Sequence, residues 1–254
     1  MNFFNAVAAI YSDGRPGYPE EIYRITNSYA NFSRESSLLE IGAGSGIATR
    51  EILRYWRPKL TAIEPGENLL EIARGKSGSA GNVSFINTTF EDFQTEKTYD
   101  GIFSATAFHW LDKSTKYQKS HTLLKDEGFL ILFWNNYLIA DDRHFMAIQE
   151  IYDKFHFDRQ VDIDVREIQK LKIKRRRKEI AGNELFDFIV HKEVIRDIPY
   201  PGDKYIKLLK SFSTNAAGGP SLDQFYEKIS EYIKTIGNEI KVRVLTNLEI
   251  AKKK

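Results

Sequence analysis

Leu38-Leu39-Glu40-Ile41-Gly42-Ala43-Gly44-Ser45-Gly46-Ile47-Ala48-Thr49 is the stretch on which the reading of this chain turns. An apolar run carrying one acid leads into glycines at alternate positions and then into a helical pattern. Glycine lets the backbone turn sharply at a strand's end and pass close to a ligand. The helix that follows offers that ligand its unpaired N–H groups and the positive end of its dipole. A nucleoside-type cofactor is the natural occupant. The dinucleotide fingerprint G-x-G-x-x-G needs its third glycine at position 47, where Ile47 stands, so the spacing here is G-x-G-x-G. Glu40 offers nothing to a pyrophosphate at its place, but it attracts an ammonium or sulfonium group. Leu60-Thr61-Ala62-Ile63-Glu64 reads as a second strand ending in an acid, at the distance where a carboxylate accepts both ribose hydroxyls.

Outward from the loop, apolar runs bounded by turn residues recur at βα spacing. Residues 38–41, 60–63, 83–86, 101–105 and 129–134 read as strands. Helical patterns separate them: Ile47, Ala48 and Ile52, stopped before Pro58; Leu69, Leu70 and Ala73; and Tyr117 to Leu124. Near-continuous apolar strands alternating with amphipathic helices predict an α/β fold with a parallel sheet covered on both faces. Right-handed crossovers then place every strand's carboxyl end, and so the ligand, on one edge. Towards the end of the chain, residues 186–194 read as a strand, and Ile240, Val242 and Val244 alternate as a half-exposed one does. Between them Ser221 is the expected N-cap of a helix striped by Leu222, Phe225, Ile229, Tyr232 and Ile233. Residues 137–183 fit no minimal scaffold: Phe145, Ile148, Ile151, Tyr152 and Phe155 make a helical stripe, and a basic run follows over residues 172–178. That run is expected to be a solvated helix face, so that changing Lys174, Arg175, Arg176 and Arg177 to Gln leaves small-molecule turnover intact.

The 254 residues suit one compact domain with an inserted element. A net charge of +2 gives no global electrostatic case for nucleic acid or a membrane. The absence of cysteine excludes disulfides and thiolate chemistry and fits a cytoplasmic protein. The longest apolar run, Phe129-Leu130-Ile131-Leu132-Phe133-Trp134, is a buried strand rather than a membrane span. The five scattered histidines show no metal-ligand spacing.

Over nearly its whole length the chain resembles the class I S-adenosylmethionine-dependent methyltransferases, in the small-molecule branch that includes the trans-aconitate methyltransferases. The resemblance is carried by the glycine loop with its two acids and by Tyr11 with Arg15-Pro16-Gly17-Tyr18-Pro19. It continues in Glu64-Pro65-Gly66-Glu67-Asn68-Leu69, in Phe90-Glu91-Asp92-Phe93, and from Tyr99-Asp100 to Phe108-His109-Trp110-Leu111. It resumes at Arg196-Asp197-Ile198-Pro199-Tyr200-Pro201. It implies a Rossmann-like, seven-stranded, mostly parallel sheet with helices on both faces and an antiparallel last strand. It also implies that residues 1–254 form one domain in which a lid segment (1–34) and a helical cap insertion (137–183) cover the substrate site.

The same resemblance assigns site residues. Gly42, Ala43, Gly44 and Gly46 line the methionine and ribose side of S-adenosylmethionine; Glu40 attracts its amino group and Glu64 its ribose. Leu69 packs on the adenine, with Pro65, Thr89, Phe90, Glu91 and Ala105 beside it. Thr89 stands where many relatives have an acid, and a hydroxyl accepts from the adenine amino group more weakly than a carboxylate does. Tyr11 and Arg15 close over the methionine end. His109 follows the fourth strand, where donor and acceptor meet: a general base for a hydroxyl or amine acceptor, an orienting hydrogen-bond partner for a carboxylate. Arg15, Arg143 and His144 are cations suited to meet a carboxylic acid. The expectation is therefore an enzyme that methylates a small molecule, as a monomer or homodimer, without nucleic acid or membrane. The competing readings are a non-catalytic cofactor-binding module and, disfavoured by Ile47 and Glu40, a nicotinamide-dependent oxidoreductase.

Overall fold

The computed structural model describes residues 8–77, 82–155, 165–212 and 220–254. Parts of the expected lid (1–7) and cap (156–164) lie outside them. In chain order the helices are α1 (Ala8–Gly14), α2 (Glu20–Ala30), α3 (Ile47–Trp56), α4 (Glu67–Ser77), α5 (Lys116–Leu123), α6 (Asp142–Lys154), α7 (Val165–Ala181), α8 (Gly202–Lys210) and α9 (Pro220–Thr235). The strands are β1 (Ser37–Ile41), β2 (Lys59–Glu64), β3 (Val83–Asn87), β4 (Tyr99–Ala105), β5 (Leu124–Ile139), β6 (Phe186–Pro201) and β7 (Glu239–Lys253). They form one seven-stranded sheet in the order β3-β2-β1-β4-β5-β7-β6.

The strands from β3 to β5 pair in parallel, for example Leu38 with Leu60 and with Gly101, and Ala105 with Phe133. β7 closes antiparallel: Asn135 accepts from Thr246 while Lys252 reaches back to Glu127, so positions rise along one strand as they fall along the other. His191 on Glu249 and Arg243 on Asp197 show the same reversed register between β6 and β7. Alternate residues bury on opposite faces. Leu39, Ile41, Ile102, Leu130, Leu132 and Trp134 enter one core, and Leu38, Phe103, Ile131 and Phe133 enter the other. Both faces are therefore dry, which is why these strands lack polar alternation.

The chain divides into two compact units. The larger comprises Gly17–Asn135, Ile173–Val194 and Thr246–Lys254; the smaller comprises Met1–Pro16, Asn136–Lys172 and Ile195–Leu245. α2 lies in the larger unit, with Ile22 and Tyr23 fully buried in its core. β5, β6 and β7 run to 15 or 16 residues, and residues of each fall in both units. The smaller unit has its own core of Phe145, Ile148, Tyr200, Leu208, Phe225, Ile229 and Val242, with the predicted stripe of α9 at its centre. Ser221 is not the N-cap of that helix: Pro220 is already helical, its fixed φ suiting the first turn. Among the described residues no helix is long and apolar enough to cross a membrane.

Candidate functional site

β1 delivers Glu40 and then the glycine loop, whose backbone adopts the left-handed conformation at Gly42 (φ 70°), Gly44 (φ 57°) and Gly46 (φ 76°). A side chain at Gly42 would place its Cβ 2.4 Å from the Cβ of Ala107, so this position needs glycine for space as well as for conformation. The loop hangs on β2, with Gly42 and Ala43 donating to the Ile63 carbonyl at 2.9 and 3.0 Å. Gly46 then starts α3.

Glu64 ends β2 facing this loop. Its Oε2 accepts from the Gly44 amide and its Oε1 from the Gly66 amide, both at 2.9 Å. Burial raises its pKa, and the Gly66 and Gly44 amides act in the opposite sense. Each of these oxygens keeps a second lone pair, so the carboxylate that ties down the loop can also accept from a ligand hydroxyl.

Glu40 is fully buried. Thr49 of α3 donates to its Oε2 at 2.6 Å, whereas Oε1 has no hydrogen-bond partner among the described residues. Burial pushes its pKa up to about 8, against the pull of the Thr49 hydroxyl; the charge of Glu64 adds to the rise and that of Arg50 opposes it. An orphaned carboxylate oxygen behind a glycine loop suits a cationic ligand group. The amino group of S-adenosylmethionine is such a group, and its ribose suits Glu64, so the residues present fit the expected cofactor.

β4 ends at Ala105, and the next residue, Thr106, has φ 58°, a strained setting for a β-branched side chain. It is held there by its amide on the Phe133 carbonyl (2.8 Å) and its hydroxyl on Tyr18 (2.9 Å). Asn135 donates its amide to the same hydroxyl at 3.4 Å and accepts from the buried Thr246 at 2.6 Å. Tyr18, Thr106 and Asn135 were not singled out from sequence as site residues. Tyr18 and Thr106 lay in quoted stretches without a role of their own, and strain at a strand end leaves no sequence signal.

His109 sits in a short 3-10 turn after β4 (Phe108–Trp110) and is exposed. The indole N–H of Trp134 donates to its Nδ1 at 3.1 Å. An indole nitrogen can only donate, so Nδ1 carries the lone pair and the neutral ring holds its proton at Nε2. The basic nitrogen is thus occupied, and the ring presents a donor rather than a base.

The remaining expected residues fall differently. Leu69 is buried in α4, Ala43 is buried in the loop and Pro65 is exposed beside it. Phe90 is buried in the core with Lys119 over its ring. The Thr89 hydroxyl turns its own segment, donating to Asp92 Oδ2 at 2.7 Å and accepting from the Asp92 amide at 3.0 Å. Glu91 accepts from the Asp112 amide at 3.0 Å. Tyr11 and Arg15 belong to the smaller unit. There the Arg15 guanidinium donates to Ser211 Oγ and O, both at 3.1 Å, and lies over the rings of Tyr11, Tyr137 and Phe212. In that unit His144 pairs with the Tyr232 hydroxyl at 2.8 Å, and Arg143 is almost wholly exposed.

The basic run is not the uniform solvated face expected of it. Lys174, Arg175, Arg177 and Lys178 are exposed, but Arg176 is half-buried with its guanidinium over the Trp134 ring. The signal was present in the spacing: Ile173, Arg176 and Ile180 share one face of α7, and both isoleucines are buried.

Residues 38–128 match the methyltransferase domain family. A Dictyostelium discoideum methyltransferase is 29% identical over 61% of this chain and 56% of its own, so the chain spans little more than half of that relative. A malonyl-[acyl-carrier protein] O-methyltransferase of Ilyobacter polytropus is 24% identical over 84% of this chain and 80% of its own. The solved S-adenosylmethionine-dependent methyltransferase of Thiobacillus denitrificans, in complex with S-adenosylhomocysteine, superposes with TM-score 0.53 over 95% of this chain and 94% of its own, at 14% identity. At that identity the likeness shows the fold.

Proposed function

Starting from the chain's membership of the class I S-adenosylmethionine-dependent methyltransferases, we propose that it transfers the methyl group of S-adenosylmethionine to a small carboxylic acid. The observation that carries the choice of acceptor is the bond from the Trp134 indole to His109 Nδ1. With that nitrogen occupied, the one histidine at the end of β4 is not arranged to take a proton, and a carboxylate, already ionised at neutral pH, needs none taken. When bound, the cofactor would supply a sulfonium-activated methyl carbon, to which an acceptor oxygen would bond as the C–S bond breaks and its electron pair stays on sulfur. The protein's part is to hold donor and acceptor in line and exclude water.

Glu40 Oε1 would meet the cofactor's amino group and Glu64 the ribose hydroxyls, while the Gly42–Gly46 backbone lets the cofactor approach closely. Leu69, Pro65, Thr89, Phe90, Glu91 and Ala105 remain proposals for the adenine side, the fifth of these through its side chain and Phe90 through its backbone. Tyr11 and Arg15 remain proposals for closing the methionine end. The malonyl-[acyl-carrier protein] relative supports oxygen as the accepting atom and admits an acid carried on a larger partner. A soluble monomer or homodimer acting in the cytoplasm without nucleic acid fits this reading.

The test is transfer of radiolabelled methyl from S-adenosylmethionine to a panel of acids that includes trans-aconitate and malonyl thioesters. The expected product is a base-labile ester, with S-adenosylmethionine bound at micromolar Kd, about −8 kcal/mol, and NAD not bound. Label stable to base, or transferred only to amines, would overturn the carboxylate reading and leave the methyltransferase assignment standing.

A further inference from the structure

Arg176 is a half-buried cation without an anion among the described residues. Its guanidinium carbon lies 4.8 Å from the centroid of the Trp134 ring, and its Nη1 is buried with no hydrogen-bond partner among the described residues. Glu179, one turn further along α7, is committed elsewhere: to Lys116 at 2.6 Å and to the Tyr117 hydroxyl at 3.1 Å. Burial draws the proton affinity of Arg176 down and Glu179 opposes this. A guanidinium nevertheless stays charged in a protein. A buried charge is normally paired, because removing it from water is otherwise uncompensated.

Its position is given by an unbroken chain of contacts within the larger unit. Gly42 of the glycine loop abuts Ala107. Two residues on, His109 accepts from the indole of Trp134, and Arg176 lies over that same indole. Trp134 directly follows Phe133, the partner of Ala105 at the carboxyl end of β4. The orphaned cation therefore belongs to the edge of the sheet that carries the glycine loop, and the Nε2–H of His109 lies on the far side of the ring that contacts Trp134.

We propose that Arg176 anchors a carboxylate of the methyl acceptor, and that this is not the carboxylate that is methylated. A guanidinium fork draws electron density from the oxygens it binds and so makes them poorer nucleophiles. The oxygen that attacks the methyl carbon therefore belongs to a second acid group, and the acceptor is at least a dicarboxylate or the half-ester or thioester precursor of one with a further acid. This rests on the carboxylic-acid reading above and narrows it.

The experiment is calorimetric titration of the protein, saturated with S-adenosylhomocysteine, with succinate, propionate and inorganic phosphate. Wild type is expected to bind succinate most tightly. Arg176→Gln keeps a planar group over Trp134 but no charge and should weaken succinate binding tenfold or more, the range of one charge-assisted hydrogen bond or better. Arg176→Lys should restore part of the loss, and Arg177→Gln, on the exposed side of the same helix, should change nothing. Unchanged affinity for S-adenosylhomocysteine in every variant reports an intact fold. With any acid found to be esterified, Arg176→Gln should raise KM far more than it lowers kcat. Equal succinate affinity in wild type and Arg176→Gln would overturn the inference, as would propionate or phosphate binding as tightly as succinate. If wild type esterifies no acid, the carboxylic-acid reading falls, whereas equal KM values in wild type and Arg176→Gln remove only the role of Arg176.

Discussion

Arg15 in the smaller unit and Arg176 in the larger are both cations laid over aromatic rings, but their surroundings differ. Arg15 has three rings around it and two hydrogen bonds to Ser211. Its neighbours in that unit are equally committed: Arg243 forks onto Asp197 with two bonds of 2.8 Å, and Arg166 meets Asp142 at 2.6 Å over the ring of Phe145. Among the described residues Arg176 has one ring and an unpartnered nitrogen, and Glu40 in the same larger unit has an unpartnered oxygen. A saturated ion holds a fold together. An ionisable group left short of a partner inside a protein is held at a cost that the rest of the unit bears, and a ligand is one reason for it. The contrast favours a ligand beside the unpartnered groups of the larger unit and packing for Arg15, Arg166 and Arg243 of the smaller.

The largest effect that could break this contrast is at the glycine loop. Gly44→Val puts a β-branched residue at φ 57° in the loop tied to Glu64. The strain alone is about 1–2 kcal/mol, and the side chain enters the space read as the cofactor's. Binding of S-adenosylmethionine should fall at least a hundredfold while circular dichroism shows a folded protein. Tight binding in this variant would mean that no ligand approaches the loop and that Glu40 is an orphan for some other reason.

A pair of alanine substitutions sharpens the comparison. Glu64→Ala removes the acceptor of the Gly44 and Gly66 amides and, on the present reading, of the ribose hydroxyls. It should weaken cofactor binding by roughly 1–3 kcal/mol. Arg15→Ala removes bonds and ring contacts that lie within the smaller unit and should lower folding stability by a similar amount, about 1–3 kcal/mol, seen as a lower Tm. If Arg15→Ala instead weakened S-adenosylmethionine binding with Tm unchanged, the lid role proposed for Tyr11 and Arg15 would gain what the packing role lost.

Why the two units were unequally legible follows from the kind of signal each carries. β1, β2, β4 and β5 were readable because strands buried on both faces are continuous apolar runs, and the glycine loop because its backbone angles restrict the residue type. Glu40 and Glu64 stand out in the sequence because an acid at the end of an apolar strand is conspicuous. Thr106 does not, since nothing local forces its positive φ; Phe133, Tyr18 and Asn135 do, and they are distant in sequence. Phe90 could be read as a ligand contact or as core from its neighbours alone, and only packing shows its ring inside. The long strands β5 to β7 were seen in part because the alternation changes where their residues pass from one unit to the other. Arg176 was hidden by composition: amid six other basic or apolar helical positions its burial is visible only through Ile173 and Ile180.

The smallest effect at neutral pH, and the one most diagnostic of an orphaned acid, belongs to Glu40. Its carboxyl titrates at about 8 in the folded protein because burial disfavours the charge, whereas an unfolded glutamate titrates near about 4.3. Between these values the folded state holds a proton that the unfolded state has released. The contribution of Glu40 to stability is therefore complete below the unfolded value and is lost as pH rises through 8, at up to about 1.4 kcal/mol per unit. Glu40→Gln removes that dependence. At pH 7 the wild-type carboxyl is already mostly neutral, so the remaining cost at higher pH is what the substitution relieves: denaturant unfolding should show the variant gaining on wild type between pH 7 and 9. Binding should move the other way. A ligand ammonium beside Oε1 requires the ionised carboxylate, so wild type should release a proton on binding S-adenosylmethionine at pH 7 and bind it more tightly towards pH 8. Calorimetry in two buffers of different ionisation heat counts that proton, and the Gln variant should release none there. A wild type that binds without proton release, with the same affinity at pH 6.5 and 8, would show that no ligand cation reaches Glu40, and the orphaned oxygen would then belong with the packing of the fold.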